Sequence, residues 1–347
     1  MSSEDLGERY SRQMLFPPIG PAGQERLREA RVAIVGLGAL GTVLANHMVR
    51  AGVGFVRLID RDFVEPSNLQ RQMLYDEADA RSAAPKAVAA AERLARINSG
   101  VELETHVADL NPASAERLLE GVDLVLDGTD NFAVRFLIND ICVRLGVPWI
   151  YGGAVSSRGV TMTVLPGETP CLRCLYPQPP APGTLETCDT AGVIGPIVDM
   201  VASLQAVEAF KLLVGDTASL RRGMTHIDLW HNQYAAVDIS GARRADCPCC
   251  AEHRFEFLDT AAGAHTFQSL CGRNSVQIVP AEPQTVDLDA LAERLQSVAR
   301  VERTPFLLRL HLPNDIRIIV FPDGRAMVQG TDDLMEAQRR YVQYIGM

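Results

Sequence analysis

The chain has 347 residues, of which 47% are hydrophobic and 22% charged, and a formal net charge of -10. That length exceeds one typical domain and that apolar content supplies an ample core, so a large domain with a smaller companion is expected and disorder is not. The acidic balance, with no Lys/Arg-rich run, argues against a nucleic-acid partner or an anionic membrane surface.

Taken from the N-terminus, residues 1–12 are polar and lack the apolar stretch and small-residue cleavage site of a secretory signal, so a cytoplasmic location is expected. Residues 31–35 form an apolar β-type run, followed by Gly36-Leu-Gly-Ala-Leu-Gly41 and a helical pattern over 42–51. The rhythm continues: a strand at 55–60, an Ala-rich helix at 86–98, a strand at 102–107, a helix at 113–119, a strand at 124–127, a helix at 131–145 and a strand at 148–151. Such alternation predicts a Rossmann-like, doubly wound α/β fold, a mostly parallel sheet covered by helices on both faces. At 159–166 the pattern acquires hairpin character, so the sheet is expected to end in antiparallel strands.

Pro177-Gln-Pro-Pro-Ala-Pro-Gly183 is too rich in proline for a helix or central strand and reads as a crossover loop able to cover a site. The apolar run 192–215 is broken by Asp199, Gln205, Glu208 and Lys211, which suits a buried helix and not a membrane span. Residues 255–266 read as a linker. The tail then predicts a strand at 276–279, a helix at 288–299, strands at 306–312, 317–321 and 326–329, and a helix at 332–344. Pro322-Asp-Gly-Arg325 forms a hairpin turn, because Gly and Asp tolerate the backbone angles it needs. The expected division is a nucleotide-binding domain over 1–258 and a small α+β domain over 259–347.

Gly36, Gly38 and Gly41 have the spacing that lets backbone amides approach a phosphate at a helix N-terminus, where the helix dipole also favours negative charge. Asp60, closing the next strand, is placed to accept hydrogen bonds from ribose hydroxyls, a combination that leaves NAD and ATP both open. Asn68, Arg71, Gln72 and Lys86 cluster after it, and Asp130 stands just beyond the 124–127 strand. Hydride transfer needs none of these. Attack of a carboxylate on an α-phosphate brings two anions together and requires cations: Arg71 and Lys86 to hold phosphates, Asp130 to hold Mg²⁺.

Arg9-Tyr-Ser-Arg12-Gln13, the glycine turn, residues 60–72, Asp127-Gly-Thr-Asp130-Asn131, Cys171-Leu-Arg-Cys174 and Cys247-Pro-Cys-Cys250 together resemble the ThiF/MoeB/HesA family, relatives of the ubiquitin-activating enzymes. The resemblance spans residues 8–257. The tail, with Cys271-Gly-Arg-Asn and Pro322-Asp-Gly-Arg325, is similar to the C-terminal extension of some bacterial ThiF proteins, which points to thiazole (thiamine) synthesis. The resemblance implies ATP-dependent adenylylation of the C-terminal Gly-Gly carboxylate of a ubiquitin-like sulfur-carrier protein, with release of pyrophosphate. It implies a homodimer in which Arg12 reaches the partner's phosphates, Asp60 binding ribose, Asn68, Arg71 and Lys86 holding the triphosphate, Gln72 lining the pocket and Asp130 coordinating Mg²⁺. Sulfur would come from a separate donor such as a cysteine desulfurase.

Cys171, Cys174, Cys247 and Cys250 have the count and spacing of a closed, structural Cys₄ Zn²⁺ site, with Cys249 an alternative ligand and a redox pair the competing reading. Cys188 matches an extra cysteine of the family and is a candidate for a covalent link to the carrier; the other reading makes it a small buried hydrophobe. Cys142 and Cys271 read as core or linker residues, and Trp149 and Trp230 as packing residues. The rival functions are an NAD-dependent oxidoreductase, which leaves Arg12, Arg71 and Lys86 without a task, a non-catalytic carrier scaffold, and an activator of a molybdopterin or tRNA-thiolation carrier.

Overall fold

Residues 7–180, 186–259, 266–270, 274–280 and 285–346 are described by a computed structural model, without the side chains of 188, 189 and 266–270. Parts of the crossover segment and linker, and Cys271, lie outside the described residues. These fall into two compact units, one within 1–180 and 191–260, the other within 181–190 and 261–347.

The first unit is built on eight strands: β1 (Arg31–Val35), β2 (Phe55–Ile59), β3 (Glu102–His106), β4 (Leu124–Asp127), β5 (Trp149–Val155), β6 (Arg158–Val164), β7 (Gly223–Asp228) and β8 (Gln233–Asp238). Their order is β3-β2-β1-β4-β5-β6-β7-β8. The first five pair in parallel and the last three antiparallel. Near-continuous apolar runs explain the centre of the parallel half: Val32, Ala33, Ile34, Leu124, Val125 and Leu126 are all fully buried between helix layers. The strand order reverses between β1 and β4, which opens a crevice at the carboxyl ends of those strands, where α/β sheets hold their ligands.

Helices Ala39–Ala51, Lys86–Ile97, Phe132–Leu145 and Gly195–Leu213 cover the sheet. The last falls where a buried helix is expected but buries one side only, with Ile197, Val198, Val201 and Ala202 buried and Asp199, Met200 and Val207 exposed, and among the described residues no helix is long and apolar enough to cross a membrane. Trp149, fully buried, lies in the core with Phe136, Ile138 and Ile141 of the Phe132–Leu145 helix.

The second unit holds β9 (Thr266–Leu270), β10 (Ser275–Val279), β11 (Arg300–Arg303), β12 (Leu308–His311), β13 (Arg317–Val320) and β14 (Ala326–Gln329), in the order β11-β12-β13-β14-β10-β9. All described pairings are antiparallel. Leu288, Leu291 and Leu295 of one helix and Ala337 and Tyr341 of another pack on Val276, Ile278, Leu310, Ile318 and Val328. The 322–325 hairpin turn is present, with Gly324 at φ 82° and the Phe321 N–H donating to Arg325 O at 2.9 Å.

Several sequence expectations need correction. β7, β8 and β11 were not anticipated: every residue of β8 is exposed, so it carries no in-out alternation, and β11 is four residues with charges at both ends. The supposed linker starts too early. Leu258 is buried, and the Phe257 N–H donates to Asp140 at 3.0 Å, so the chain stays packed on the first unit past residue 255. Thr266, taken as linker, opens β9.

Candidate functional site

Three backbone segments meet at the carboxyl end of β1 at distances only glycine allows. Gly36 has φ 84°, and a Cβ on Gly41 would stand 1.8 Å from the Gly36 carbonyl oxygen, one on Gly128 2.4 Å from the same atom. Gly38, which caps the Ala39–Ala51 helix, is different: a Cβ there would meet only Gln72 Nε2, at 3.9 Å. Its neighbourhood is open space, and its N–H donates to no acceptor among the described residues. The Gln72 side chain, 4% exposed, has its Oε1 buried without a partner among the described residues. Unmet polar groups of this kind fit a ligand that supplies the missing partners.

Asp60 anchors the turn from the neighbouring strand. Its Oδ2 accepts the Leu37 N–H and its Oδ1 the Asp62 N–H, both at 2.6 Å. Each oxygen keeps a second acceptor site for a hydroxyl. Burial raises the Asp60 pKa, with Lys86 pulling it down and Asp62 pushing it up.

Lys86 reaches the same spot through a short antiparallel pairing of 62–64 with 84–86. The Val64 N–H donates to Ala84 O at 2.8 Å and the Lys86 N–H to Asp62 O at 2.9 Å. The Lys86 Nζ, on a side chain 4% exposed, lies 3.2 Å from Asp62 Oδ2. Between these segments, the 65–75 loop is held by Asn68, whose Oδ1 accepts the Glu65 N–H at 3.0 Å, so this carboxamide oxygen serves the loop itself. Arg71 is half-buried and donates to Ser67 O at 3.0 Å.

Across the crevice, Asp127 closes β4 fully buried. Its carboxylate accepts from Arg135 Nε at 3.0 Å, from the Thr129 hydroxyl at 2.7 Å and from the Thr129 N–H at 2.9 Å. This knot fixes the 127–130 turn and leaves Asp130 exposed at its tip. Asp130 belongs to the same field: burial would lower the Arg61 pKa, but the carboxylates of Asp109, Asp62, Asp60 and Asp130 outweigh it and leave it raised.

The structure therefore brings together Gly36, Gly38, Gly41, Asp60, Gln72 and Lys86, with Asn68 and Arg71 in the adjoining loop and Asp130 on the facing turn. Arg12 stands apart, exposed on the Ser11–Met14 helix with no hydrogen bond or ion pair among the described residues, beside Leu15 and Phe16, 70% and 57% exposed. Cys188 opens the short Cys188–Ala191 helix, and its side chain lies outside the described residues. Asp62, Tyr75 and Arg135 were missed in the sequence. The Asp60-Arg-Asp62 repeat was a usable signal for the first, whereas nothing local marks a tyrosine or an arginine whose partners lie on other segments.

Away from the crevice, Cys171, Cys174, Cys247 and Cys250 form a buried cluster with all four sulfurs within 4.8 Å of one another. Three of the separations are 3.9, 3.6 and 3.5 Å. A tetrahedral ion with metal–sulfur bonds of about 2.3 Å requires sulfurs about 3.8 Å apart, so these four can hold one metal ion. Cys249 is outside the set, with its Sγ accepting from Asn139 Nδ2 at 3.2 Å, while Asn139 Oδ1 accepts the Leu172 N–H at 2.8 Å. Trp230 is 74% exposed, whereas Trp149 is fully buried.

Among known proteins, residues 10–249 match the model of the ThiF family. The chain is 44% identical over 343 residues to the "Sulfur carrier protein ThiS adenylyltransferase" of Bacillus subtilis (strain 168), covering 97% of this chain and 99% of that protein. It is 40% identical over 278 residues to the "Sulfur carrier protein adenylyltransferase" of Thermus thermophilus, covering 78% and 98%. The solved structure of E. coli MccB with MccA-N7isoASN superposes with a TM-score of 0.62 at 24% identity, over 70% of this chain and 76% of that one, a likeness of fold.

Proposed function

Since the chain belongs to the ThiF family, we propose that it is an adenylyltransferase that activates the C-terminal Gly-Gly carboxylate of a ubiquitin-like sulfur-carrier protein, the ThiS-type carrier of thiazole synthesis. The carrier carboxylate oxygen attacks the α-phosphorus of MgATP. An acyl–O–P bond forms, the bond to the β-phosphate oxygen breaks, and pyrophosphate leaves with the electron pair. A tail of two glycines is slim enough to thread a covered cleft and bring its carboxylate to the phosphate.

The observation that carries the reading is the buried Lys86 beside Asp62, next to a glycine turn with an N–H and a Gln72 oxygen that meet no partner among the described residues. A hydride-transfer enzyme has no use for that cation, whereas joining two anions does. On this reading Asp60 accepts from the ribose, Asn68, Arg71 and Lys86 hold phosphates, Gln72 lines the pocket and Asp130 holds Mg²⁺. The ion, when bound, neutralises phosphate charge and stabilises the departing pyrophosphate. Arg12 acts on the site of a second copy in a homodimer, which accounts for an exposed arginine with no partner among the described residues beside exposed Leu15 and Phe16.

The four-cysteine cluster holds Zn²⁺ as a closed structural clamp, and Cys188 is the candidate for a covalent link to the carrier. Residues 1–258 form the catalytic domain and 259–347 an appended one, in a cytoplasmic protein supplied with sulfur by a separate donor such as a cysteine desulfurase. The test is carrier-dependent exchange of labelled pyrophosphate into ATP, with carriers of the thiazole, molybdopterin and tRNA-thiolation pathways side by side. Exchange with the thiazole carrier alone is expected. Exchange with another carrier only would move the pathway, and none with any carrier would sink the enzyme reading.

A further inference from the structure

Tyr75 is 7% exposed, and its hydroxyl lies 2.8 Å from Leu37 O and 3.2 Å from Lys86 O. A phenol has one proton, so it is shared unequally, mainly with the glycine turn. Burial, with Asp60, Asp79 and Asp62, raises the Tyr75 pKa well above its ordinary value, so the group remains a donor across the accessible pH range. Packing alone would be served by phenylalanine. The hydroxyl has a more specific consequence.

The Leu37 carbonyl belongs to the peptide unit that ends in the Gly38 N–H. A trans peptide is planar with its C=O and N–H on opposite sides, so pinning the oxygen to Tyr75 turns the N–H the other way. Glycine is the residue at which such a peptide flips most readily, because it tolerates both hands of backbone angle. The preceding peptide is already fixed by the Leu37 N–H bond to Asp60 at 2.6 Å. Among the described residues the Leu37–Gly38 unit has only Tyr75 to hold it, and the Gly38 N–H on its far side meets no acceptor there.

We propose that Tyr75 is a positioning residue for the nucleotide phosphates, locking the Leu37–Gly38 peptide so that the Gly38 N–H is kept for a phosphate oxygen while tying the start of the Lys86–Ile97 helix to the same turn. This rests on the nucleotide reading above. The second bond, to the carbonyl of Lys86, makes the glycine turn and the phosphate-binding lysine one unit.

The test compares wild type, Tyr75→Phe and a control, Thr161→Val, which removes another buried hydroxyl-to-carbonyl bond (to Tyr151 O, 2.8 Å) from the antiparallel half of the sheet. MgATP and adenosine binding are measured by calorimetry without carrier, and pyrophosphate exchange with it. Tyr75→Phe is expected to weaken MgATP and raise its KM by about tenfold, the worth of one well-placed hydrogen bond, and to leave adenosine binding and the KM for carrier unchanged. Thr161→Val is expected to lower Tm without moving either affinity. Unchanged MgATP binding in Tyr75→Phe, or an equal loss for adenosine and MgATP, would overturn the proposal. A wild type that binds no MgATP would instead remove the nucleotide reading, and this one with it.

Discussion

The cysteine cluster and the glycine turn are both held by backbone brought close from distant parts of the chain, yet they are opposites in how they treat their polar groups. At the cluster, four sulfurs at most 7% exposed face one another, and both ends of the adjoining Asn139 side chain are engaged, by Leu172 and Cys249. At the turn, an N–H and a carboxamide oxygen are left unmet among the described residues and the Asp130 carboxylate is exposed. A closed four-ligand set leaves no position for a substrate, whereas unmet groups in a crevice await one. Stability should therefore depend on the first region and turnover on the second.

The largest effect should come from the cluster. Structural zinc contributes about 10–16 kcal/mol in small metal-dependent folds, as much as the whole stability of a typical domain, about 5–15 kcal/mol. Cys247→Ser should lose its metal by elemental analysis and its cooperative thermal transition. A Cys247→Ser protein with unchanged Tm would break the comparison. The turn should give the converse result. Asp130→Ala, an exposed side chain, is expected to leave Tm within about 2 °C while pyrophosphate exchange falls by roughly 10³.

Arg12→Ala sharpens the same contrast. Alone it should lower exchange by roughly 10², again with Tm unmoved. Mixed with Asp130→Ala and allowed to exchange subunits, it should recover about a quarter of wild-type activity, since half of the dimers then carry one intact site of two. Failure to recover, in samples shown by native mass spectrometry to contain mixed dimers, would place Arg12 in its own chain's site.

Much of this was legible in the sequence, for reasons that differ by element. β1, β2 and β4 announce themselves because both faces are buried, and the CxxC pairs because ligand spacing is set by a metal's geometry. β8 carried no signal, since exposed Gln233, Tyr234 and Val237 leave no alternation to read. Spacing marks Asp60 and Lys86 as candidates, but the pairing of Asp62 with Lys86 and of Arg135 with Asp127 depends on segments that meet only in the fold. Asn68 was assigned to phosphate, and the structure adds a local task for its carboxamide oxygen, holding the Glu65 N–H. Cys249 shows the converse, a cysteine lying in sequence between two of the clustered cysteines that hydrogen-bonds to Asn139 and stays outside their cluster.

The smallest effect tests where the division runs. Asp228 ends β7, whose antiparallel pairing with β6 puts it at the same sheet edge as the carboxyl ends of the parallel strands. It is nonetheless satisfied like the cluster: its carboxylate takes the Ser157 hydroxyl and His231 Nδ1, both at 2.8 Å, and the N–H groups of Trp230 and His231. The hydrogen bond from His231, with that from Ser157, lowers its pKa to about 2 from an ordinary 3.8. A carboxyl acidified by folding favours the folded state where it is ionised, so the contribution is complete above its ordinary pKa and is lost as pH falls through about 2. Asp228→Asn should flatten the acid limb of urea-unfolding stability between about pH 4 and 2 and leave pyrophosphate exchange at neutral pH unchanged. If exchange fell instead, with the acid limb intact, internal satisfaction would not be what separates structural from functional groups at this edge, and the turn that carries Trp230 would have to be counted with the crevice.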